Sequence, residues 1–306
     1  MRHALALLAA FVLVLAGCGG GNDGDTSTGT RAGPPKGPPI RIGSKNFTEQ
    51  TILGELYRQA LEAKGFDVVL KPVVGSSEII HRALRRGSLD MYPEYVGVLL
   101  SEVAEVRARP RSAAAAYKLA QAYEKRAGFT MLAESRLSDA NALGVKPSFA
   151  TRHRLRTIAD LRRLPGTVKV SALSEFSTRF EGLKGLRDVY GLHNLQVTVV
   201  PSDGRYPALD SGMVDVASVF TTDAQLADDK YLVLADPRGL FASGHVAPIV
   251  SDKVLAAHGP DLRDAINAVT RVLTTPAMRR MNAAVDLSHR NPAAVAGEFL
   301  RAQRLA

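Results

Sequence analysis

The chain carries one cysteine and no tryptophan, and aromatic residues make up only 6% of its 306 positions. A single cysteine excludes an intrachain disulfide, so the fold must rest on packing and hydrogen bonding. No internal stretch reaches the roughly 18 consecutive apolar residues that a membrane span needs. There is no Gly-x-Ser-x-Gly elbow, no Gly-x-x-x-x-Gly-Lys-[Ser/Thr] phosphate loop and no His-Glu-x-x-His pair. The histidines are dispersed without metal-ligand spacing. These absences argue against an enzyme, a resident metal and a bound cofactor. A Ser, His and Asp constellation assembled only by folding, as in an exported hydrolase, stays open as a remote alternative.

What is present begins with a basic end, Arg2 and His3, and an apolar run from Ala4 to Ala16. That is the length of a signal-peptide core, and residues 1–17 are read as one. Leu15-Ala16-Gly17-Cys18 follows the pattern of a bacterial lipobox, so Cys18 is the expected lipidation site. Residues 18–39 are rich in Gly, Ser, Thr, Asp and Pro, too poor in apolar surface to offset the entropy of ordering. They read as a tether that joins a globular body to the extracytoplasmic face of the cell membrane through the lipid. The formal charge is +9, but the basic residues are scattered and no aromatic residues interleave with them. Nucleic acid is therefore not an expected partner. With 46% hydrophobic residues, the body can bury one large core or two modest ones.

Alternating patterns organise that body. Ile40 to Gly43 reads as a strand, and Thr48 as the cap of a helix starting at Glu49, with Ile52, Leu53, Leu56, Ala60 and Leu61 on one face. Asp67 to Val74 and Leu89 to Tyr92 read as further strands around a helix from Ser77 to Arg86. The same grammar recurs with a strand at Val168 to Ala172, a helix over Glu175 to Tyr190, and strands at Leu195 to Val200 and Val214 to Phe220. Ala83–Asp90 and Ala208–Asp215 even echo each other. The prediction is an α/β fold of two lobes, each a mostly parallel sheet flanked by helices. Lobe 1 is assigned 40–143 and 245–306, and lobe 2 is assigned 144–244. Two crossings between them, near Asn141 to Lys146 and Gly239 to Val246, suit a hinge. In open parallel sheets ligands bind beyond the carboxyl ends of the strands. Those ends are Ser44–Thr48, Gly75–Ser77 and Tyr92–Gly97 in the first lobe, and Ser174–Arg179, Ser202–Arg205 and Phe220–Asp223 in the second.

Three stretches carry a family resemblance: Ile42-Gly43-Ser44-Lys45-Asn46-Phe47-Thr48-Glu49-Gln50, Leu89-Asp90-Met91-Tyr92-Pro93-Glu94-Tyr95-Val96-Gly97, and Ser174 to Arg179 with Val219 to Asp223. Together they resemble the glycine betaine, choline and carnitine-binding proteins of osmoprotection ABC importers, the OpuC/ProX type. The resemblance spans roughly residues 40 to 303. It implies a type II periplasmic-binding-protein fold and a monomer that captures a quaternary-ammonium solute and delivers it to a permease driven by its ATPase subunit. It also implies an aromatic cage for the ammonium, by cation–π attraction, and basic groups for a carboxylate. Tyr95 matches a cage tyrosine, Arg179 the carboxylate-binding arginine and Lys45 a motif lysine at the pocket. Phe220 keeps a ring where the family commonly has tyrosine. Asn141 stands at a tyrosine position, no such ring occurs around Ser243-Gly244-His245, and Val98 replaces a pocket threonine. Two missing rings of four lower the cation–π contribution by roughly 1–2 kcal/mol or more. Weak betaine binding and a different small polar or aromatic ligand are both consistent with that, and Asn141 and His245 offer hydrogen bonds for the latter.

Overall fold

The structure is a computed structural model that describes residues 37–306 apart from 46, 73–74, 107–109, 111 and 242, and apart from the side chains of 72, 175 and 202. The expected signal peptide, Cys18 and most of the tether lie outside the described residues. Its strands are β1 (Ile40–Ser44), β2 (Val68–Pro72), β3 (Met91–Tyr95), β4 (Phe129–Met131), β5 (Asn141–Val145), β6 (Val168–Ala172), β7 (Leu195–Val199), β8 (Val216–Phe220), β9 (Leu232–Val233) and β10 (Val246–Ser251). They form two sheets, ordered β2-β1-β3-β10-β4 and β7-β6-β8-β5-β9.

Both sheets follow one plan. Three neighbouring strands run parallel, the fourth is antiparallel to them, and the edge strand is antiparallel to the fourth. Four of five strands therefore share a direction in each sheet, and the exception is the strand that arrives from the other lobe. The reason is geometric. A chain that leaves one sheet at its carboxyl end and crosses directly enters the next sheet at the matching end, so it must run backwards. β5 enters opposite the last residue of β8, with Asn141 facing Phe220. β10 enters opposite the last residue of β3, with Val246 facing Tyr95.

β5 belongs to the second sheet from Asn141 onward, so the change of sheet occurs before the 143/144 division expected from sequence. The two crossings are bound to each other: Ser138 and His245 form an antiparallel bridge, and the Asp139 amide donates to the Gly244 carbonyl at 2.9 Å. Only glycine fits there, because a Cβ on Gly244 would lie 1.7 Å from the Asp139 carbonyl oxygen.

Helices cover both faces of each sheet. Ile52, Leu53, Leu56, Tyr57, Ala60 and Leu61 bury one face of helix Thr48–Ala63 against β1 and the C-terminal helices. Thr48 does not cap that helix. Phe47 occupies the cap position, and the Thr48 hydroxyl instead donates to Asp286 at 2.6 Å, tying the helix to helix Thr275–Asp286. The latter starts as its sequence suggests, with Thr274 accepting from the Ala277 amide and a proline in the first turn. Helix Pro292–Ala302 is likewise capped by Asn291. These C-terminal helices return to the first lobe. Along β10 the side chains alternate, Val246 and Val250 toward one core cluster and Ala247 and Ile249 toward another.

The regular helix read over Glu175 to Tyr190 is broken. A 3-10 turn over Ser174–Ser177 and a wide turn over Phe180–Lys184 precede an α-helix only at Gly185–Tyr190. Glu181 and Gly182 have non-helical backbone angles. The chain folds back so closely that a Cβ on Gly182 would sit 2.1 Å from the Phe176 carbonyl oxygen.

One buried polar cluster lies away from the crossings. His81 Nδ1 is 3.2 Å from the Tyr92 hydroxyl and 3.7 Å from Glu124 Oε1. Burial pulls His81 down to about 4, with Arg85 adding to the effect. Burial, with the Glu94 charge adding to it, pushes Glu124 up to about 8. At pH 7 both groups are therefore neutral. A carboxyl whose folded pKa is raised contributes fully below its unfolded value and loses that contribution as pH rises toward the folded one. Glu124→Gln is therefore expected to melt several degrees above the native chain at pH 8, a difference that vanishes near pH 4.5. Thermal denaturation across that range checks it, and a constant offset with pH would contradict it.

Candidate functional site

The first lobe contributes the loop after β1 and the end of β3. Lys45 is 5% exposed and Glu94 fully buried, and the two form an ion pair. The Lys45 ammonium also donates to Ser77 Oγ at 2.7 Å and lies 4.8 Å from the centre of the Tyr95 ring. Glu94 in turn accepts from the Tyr95 amide at 2.7 Å. The lysine singled out from sequence thus directs its charge inward and fixes the end of β3. Tyr95 is buried, and its hydroxyl donates to Glu49 Oε1 at 2.9 Å. Its ring stacks against Phe47 with centroids 6.3 Å apart. Phe47 is 42% exposed, and sequence reasoning gave it no role although it stands inside the first motif. Tyr92 points to the opposite face of the sheet and is part of the core.

The second lobe contributes Asn141 and Phe220. They are direct cross-strand partners, so their side chains leave the same face of the sheet. Both are half-buried. The Phe220 ring lies 5.1 Å from the Arg205 guanidinium, which donates to the Ser218 carbonyl at 2.8 Å and pairs with Asp223 at 3.4 Å. Asp223 also accepts from the Phe220 amide at 2.9 Å and from the Tyr206 hydroxyl at 2.8 Å, so its role is to hold the end of β8. Asn141 Nδ2 donates to Glu181 Oε2 at 2.9 Å, a contact that the break in the Phe180–Lys184 turn makes available. Arg205 enters the sequence reading only as the last residue of the strand-end segment Ser202–Arg205, and Glu181 only as part of a regular helix.

Arg179 is exposed at the start of the Phe180–Lys184 turn, with extended backbone. Its charge reaches across to the first lobe. The Glu78 carboxyl is held below its ordinary value chiefly by a hydrogen bond from Ser76, with Arg179 and Lys45 both adding attraction. His245 Nδ1 donates to the Ser135 carbonyl oxygen at 2.9 Å within its own crossing, which requires the Nδ1–H tautomer.

Between the two halves runs a buried polar network. Asn282 Nδ2 donates to Glu49 Oε2 at 3.2 Å and to the Thr222 carbonyl at 2.9 Å, joining helix Thr275–Asp286 to the end of β8. Arg279 Nε donates to the Thr221 carbonyl at 2.6 Å, and the Thr221 hydroxyl donates to the Ser138 carbonyl at 2.8 Å. Burial pushes the carboxyls of Glu49 and Asp139 upward; the Asp223 charge adds to the effect at both, and the Glu49 charge adds to it at Asp139. Tyr95, Lys45 and Phe47 thus form one group, Asn141, Phe220 and Glu181 a second, and the crossings bind the strand ends that carry them.

This arrangement is a pair of ring-bearing strand ends joined by a double crossing. The family model described as the substrate-binding domain of ABC-type glycine betaine transport systems matches residues 38–302. The chain belongs to that family. A glycine-betaine-binding protein of Pseudomonas aeruginosa is 30% identical over 285 residues, covering 90% of this chain and 91% of the relative. The glycine betaine-binding protein YehZ of Escherichia coli is 26% identical, covering 86% of this chain and 90% of the relative. A crystal structure of a glycine betaine/carnitine/choline ABC transporter protein superposes with a TM-score of 0.80 at 25% identity, covering 87% of this chain and 99% of the other. The family's two-lobed mixed α/β fold is the one found here.

The Lys45–Glu94 pair makes a checkable demand on stability. Removing one partner of a buried pair leaves an uncompensated charge and costs about 3–5 kcal/mol. Lys45→Met is expected to lose that much in urea denaturation, and Lys45→Met combined with Glu94→Gln to recover most of it. Equal losses in the single and double variants would show that the pair does not carry the effect.

Proposed function

We propose that this protein is the extracytoplasmic receptor of an ABC importer, and that it captures a small quaternary-ammonium solute between its lobes. The observation that carries this reading is that the strand ends joined by the crossings bear rings in both lobes, Tyr95 with Phe47 in the first and Phe220 in the second. A trimethylammonium group donates no hydrogen bonds, so ring faces replace its water, each worth about 0.5–2 kcal/mol. Arg179, exposed on the opposite lobe from Lys45, takes the carboxylate of a betaine-type ligand. Lys45 acts by placing Tyr95 and by its positive field. Asn141 offers its amide beside Phe220. Closing about the crossings reports occupancy to the permease and its ATPase subunit, and the lipid on Cys18 keeps the receptor at the membrane. Its work is capture and release, with no covalent step.

A ligand that binds only the folded state raises the melting temperature, by about 2.7 kcal/mol of stability at one hundred times Kd. The body from residue 37 onward is expected to gain several degrees with millimolar glycine betaine, choline or carnitine. Phe47→Ala and Arg179→Ala suit the test because both side chains are exposed. Phe47→Ala is expected to weaken every quaternary ammonium roughly three- to tenfold, and Arg179→Ala only those with a carboxylate. Stabilisation by another compound, with none from any quaternary ammonium, would keep the receptor reading and remove the ligand class.

A further inference from the structure

The amino ends of the parallel strands in the first sheet are tied into one row. The Ile40 amide donates to the Asp67 carbonyl, the Asp90 amide to that of Arg41, the Ser251 amide to that of Asp90 and the Asp252 amide to that of Gly128. The helices that precede β2, β3 and β4 must return to this end. Helix Thr48–Ala63 therefore stops there at Lys64, helix Ser77–Arg85 at Arg86, and helix Ala113–Arg126 with Lys125 and Arg126 in its last turn. The final helix, Pro292–Ala302, brings Arg301 and Arg304 beside Lys64, and the three cations line an open pocket of about 390 Å³. All six of these basic side chains are exposed, and among the described residues none of them is in an ion pair. Of the acids at the same end, Glu62 pairs with Arg58, Asp90 with Arg41, and Asp252 accepts from the Thr130 hydroxyl. Asp67 and Asp261 also stand here and reduce the positive surplus without cancelling it.

A cation in the last turn of a helix is favoured by the macrodipole alone. The second sheet shows how far that goes, because it follows the same plan with the same dipoles. There helix Gly185–Tyr190 carries the single cation Arg187 in its last turn, and helix Arg205–Asp210 ends on an acid that pairs with Lys230. The dipole therefore does not by itself gather the charge found on the first lobe. A second observation is where the chain enters the body. Gly37 lies against His258, where a Cβ would come within 2.7 Å of Cε1, and His258 packs edge-on against Phe66, just beyond Lys64, with ring centroids 5.6 Å apart. The tether from the expected lipid site, Cys18, thus joins the body at its basic end.

We infer that this end of the first lobe is a membrane-binding face, in which Lys64, Arg301 and Arg304 take the phosphates of anionic lipid headgroups and Arg86, Lys125 and Arg126 widen the contact. Basic side chains are drawn to an anionic bilayer within about a Debye length of its surface. A tether raises the effective concentration of the face at that surface, so a weak attraction suffices. Lys45 and Tyr95 stand at the opposite ends of β1 and β3, so a body resting on this face turns them away from the bilayer. The inference rests on the proposed membrane anchoring and is independent of which solute is captured.

The body from residue 37 onward holds both sheets and every described helix, so it is tested without the lipid. The probes are vesicles of phosphatidylcholine with about one-third phosphatidylglycerol, and vesicles of phosphatidylcholine alone. At low ionic strength the body is expected to sediment with the anionic vesicles and not with the neutral ones, and to be released progressively as salt is raised. Lys64→Glu, Arg301→Glu and Arg304→Glu together are expected to weaken this binding about tenfold or more. Arg152→Glu, Arg154→Glu and Arg156→Glu together change the net charge equally at exposed positions of the second lobe, and are expected to weaken it less than about threefold. If the first triple variant folds poorly, Lys64→Gln with Arg301→Gln is the second, expected to weaken binding about threefold or more. Failure to bind anionic vesicles, or equal weakening by the two triple variants, overturns the membrane face. Release by inorganic phosphate at constant ionic strength also overturns it, and makes the pocket a site for a small anion instead. Each of these outcomes leaves the capture of solute between the lobes standing.

Discussion

The backbone contact between the two crossings constrains everything else in this protein. Asp139 and Gly244 touch through an amide–carbonyl hydrogen bond with no room for a side chain on the glycine. Because the crossings are short and adjacent, each incoming strand must enter the opposite sheet at its carboxyl end and run antiparallel. That single requirement sets Asn141 against Phe220 and Val246 against Tyr95. It also brings the carboxyl ends of the parallel strands of both sheets to the crossings.

Around this double crossing the charges are arranged mainly for the protein itself. Lys45 holds Glu94 and Ser77, Arg205 holds Asp223 and the Ser218 carbonyl, and Arg279 holds the Thr221 carbonyl. These are charge-assisted bonds in a partly desolvated region, stronger than neutral ones and costly to leave unmade. They fix the strand ends rigidly, and a rigid site loses less entropy when a ligand enters. The cost is that two ring faces are directed to internal cations.

The network through Glu49, Asn282 and Thr222 links the same strand ends to the C-terminal helices. Helix Thr275–Asp286 belongs to the first lobe yet hydrogen-bonds the end of β8 in the second. Tyr95 therefore joins through Glu49 and Asn282 to the backbone two residues beyond Phe220. The rings of the two lobes are coupled by buried polar contacts as well as by the covalent crossings.

Much of this was legible in the sequence. Hydrophobic period, strand-end composition and three motifs were enough for two α/β lobes and two crossings, and for placing Lys45, Tyr95, Asn141 and Phe220 at or next to strand ends, because these are local patterns repeated along the chain. The partnerships were not legible. Nothing local distinguishes a lysine that faces a ligand from one that pairs with Glu94 49 residues away. The break at Glu181 was hidden because its cause is the Phe176 carbonyl pressing on Gly182, a contact that exists only after folding. Phe47 passed unnoticed because exposure belongs to the folded surface. Thr48, a good cap by composition, was taken by Asp286 across 238 residues. The sequence by itself determined most of the strands and helices and the order in which they alternate, since periodicity and chain reversal are short-range consequences of residue type. Only the tertiary structure decided which charges are already matched, because electrostatic partners are chosen by distance in space and by the loss of water around them.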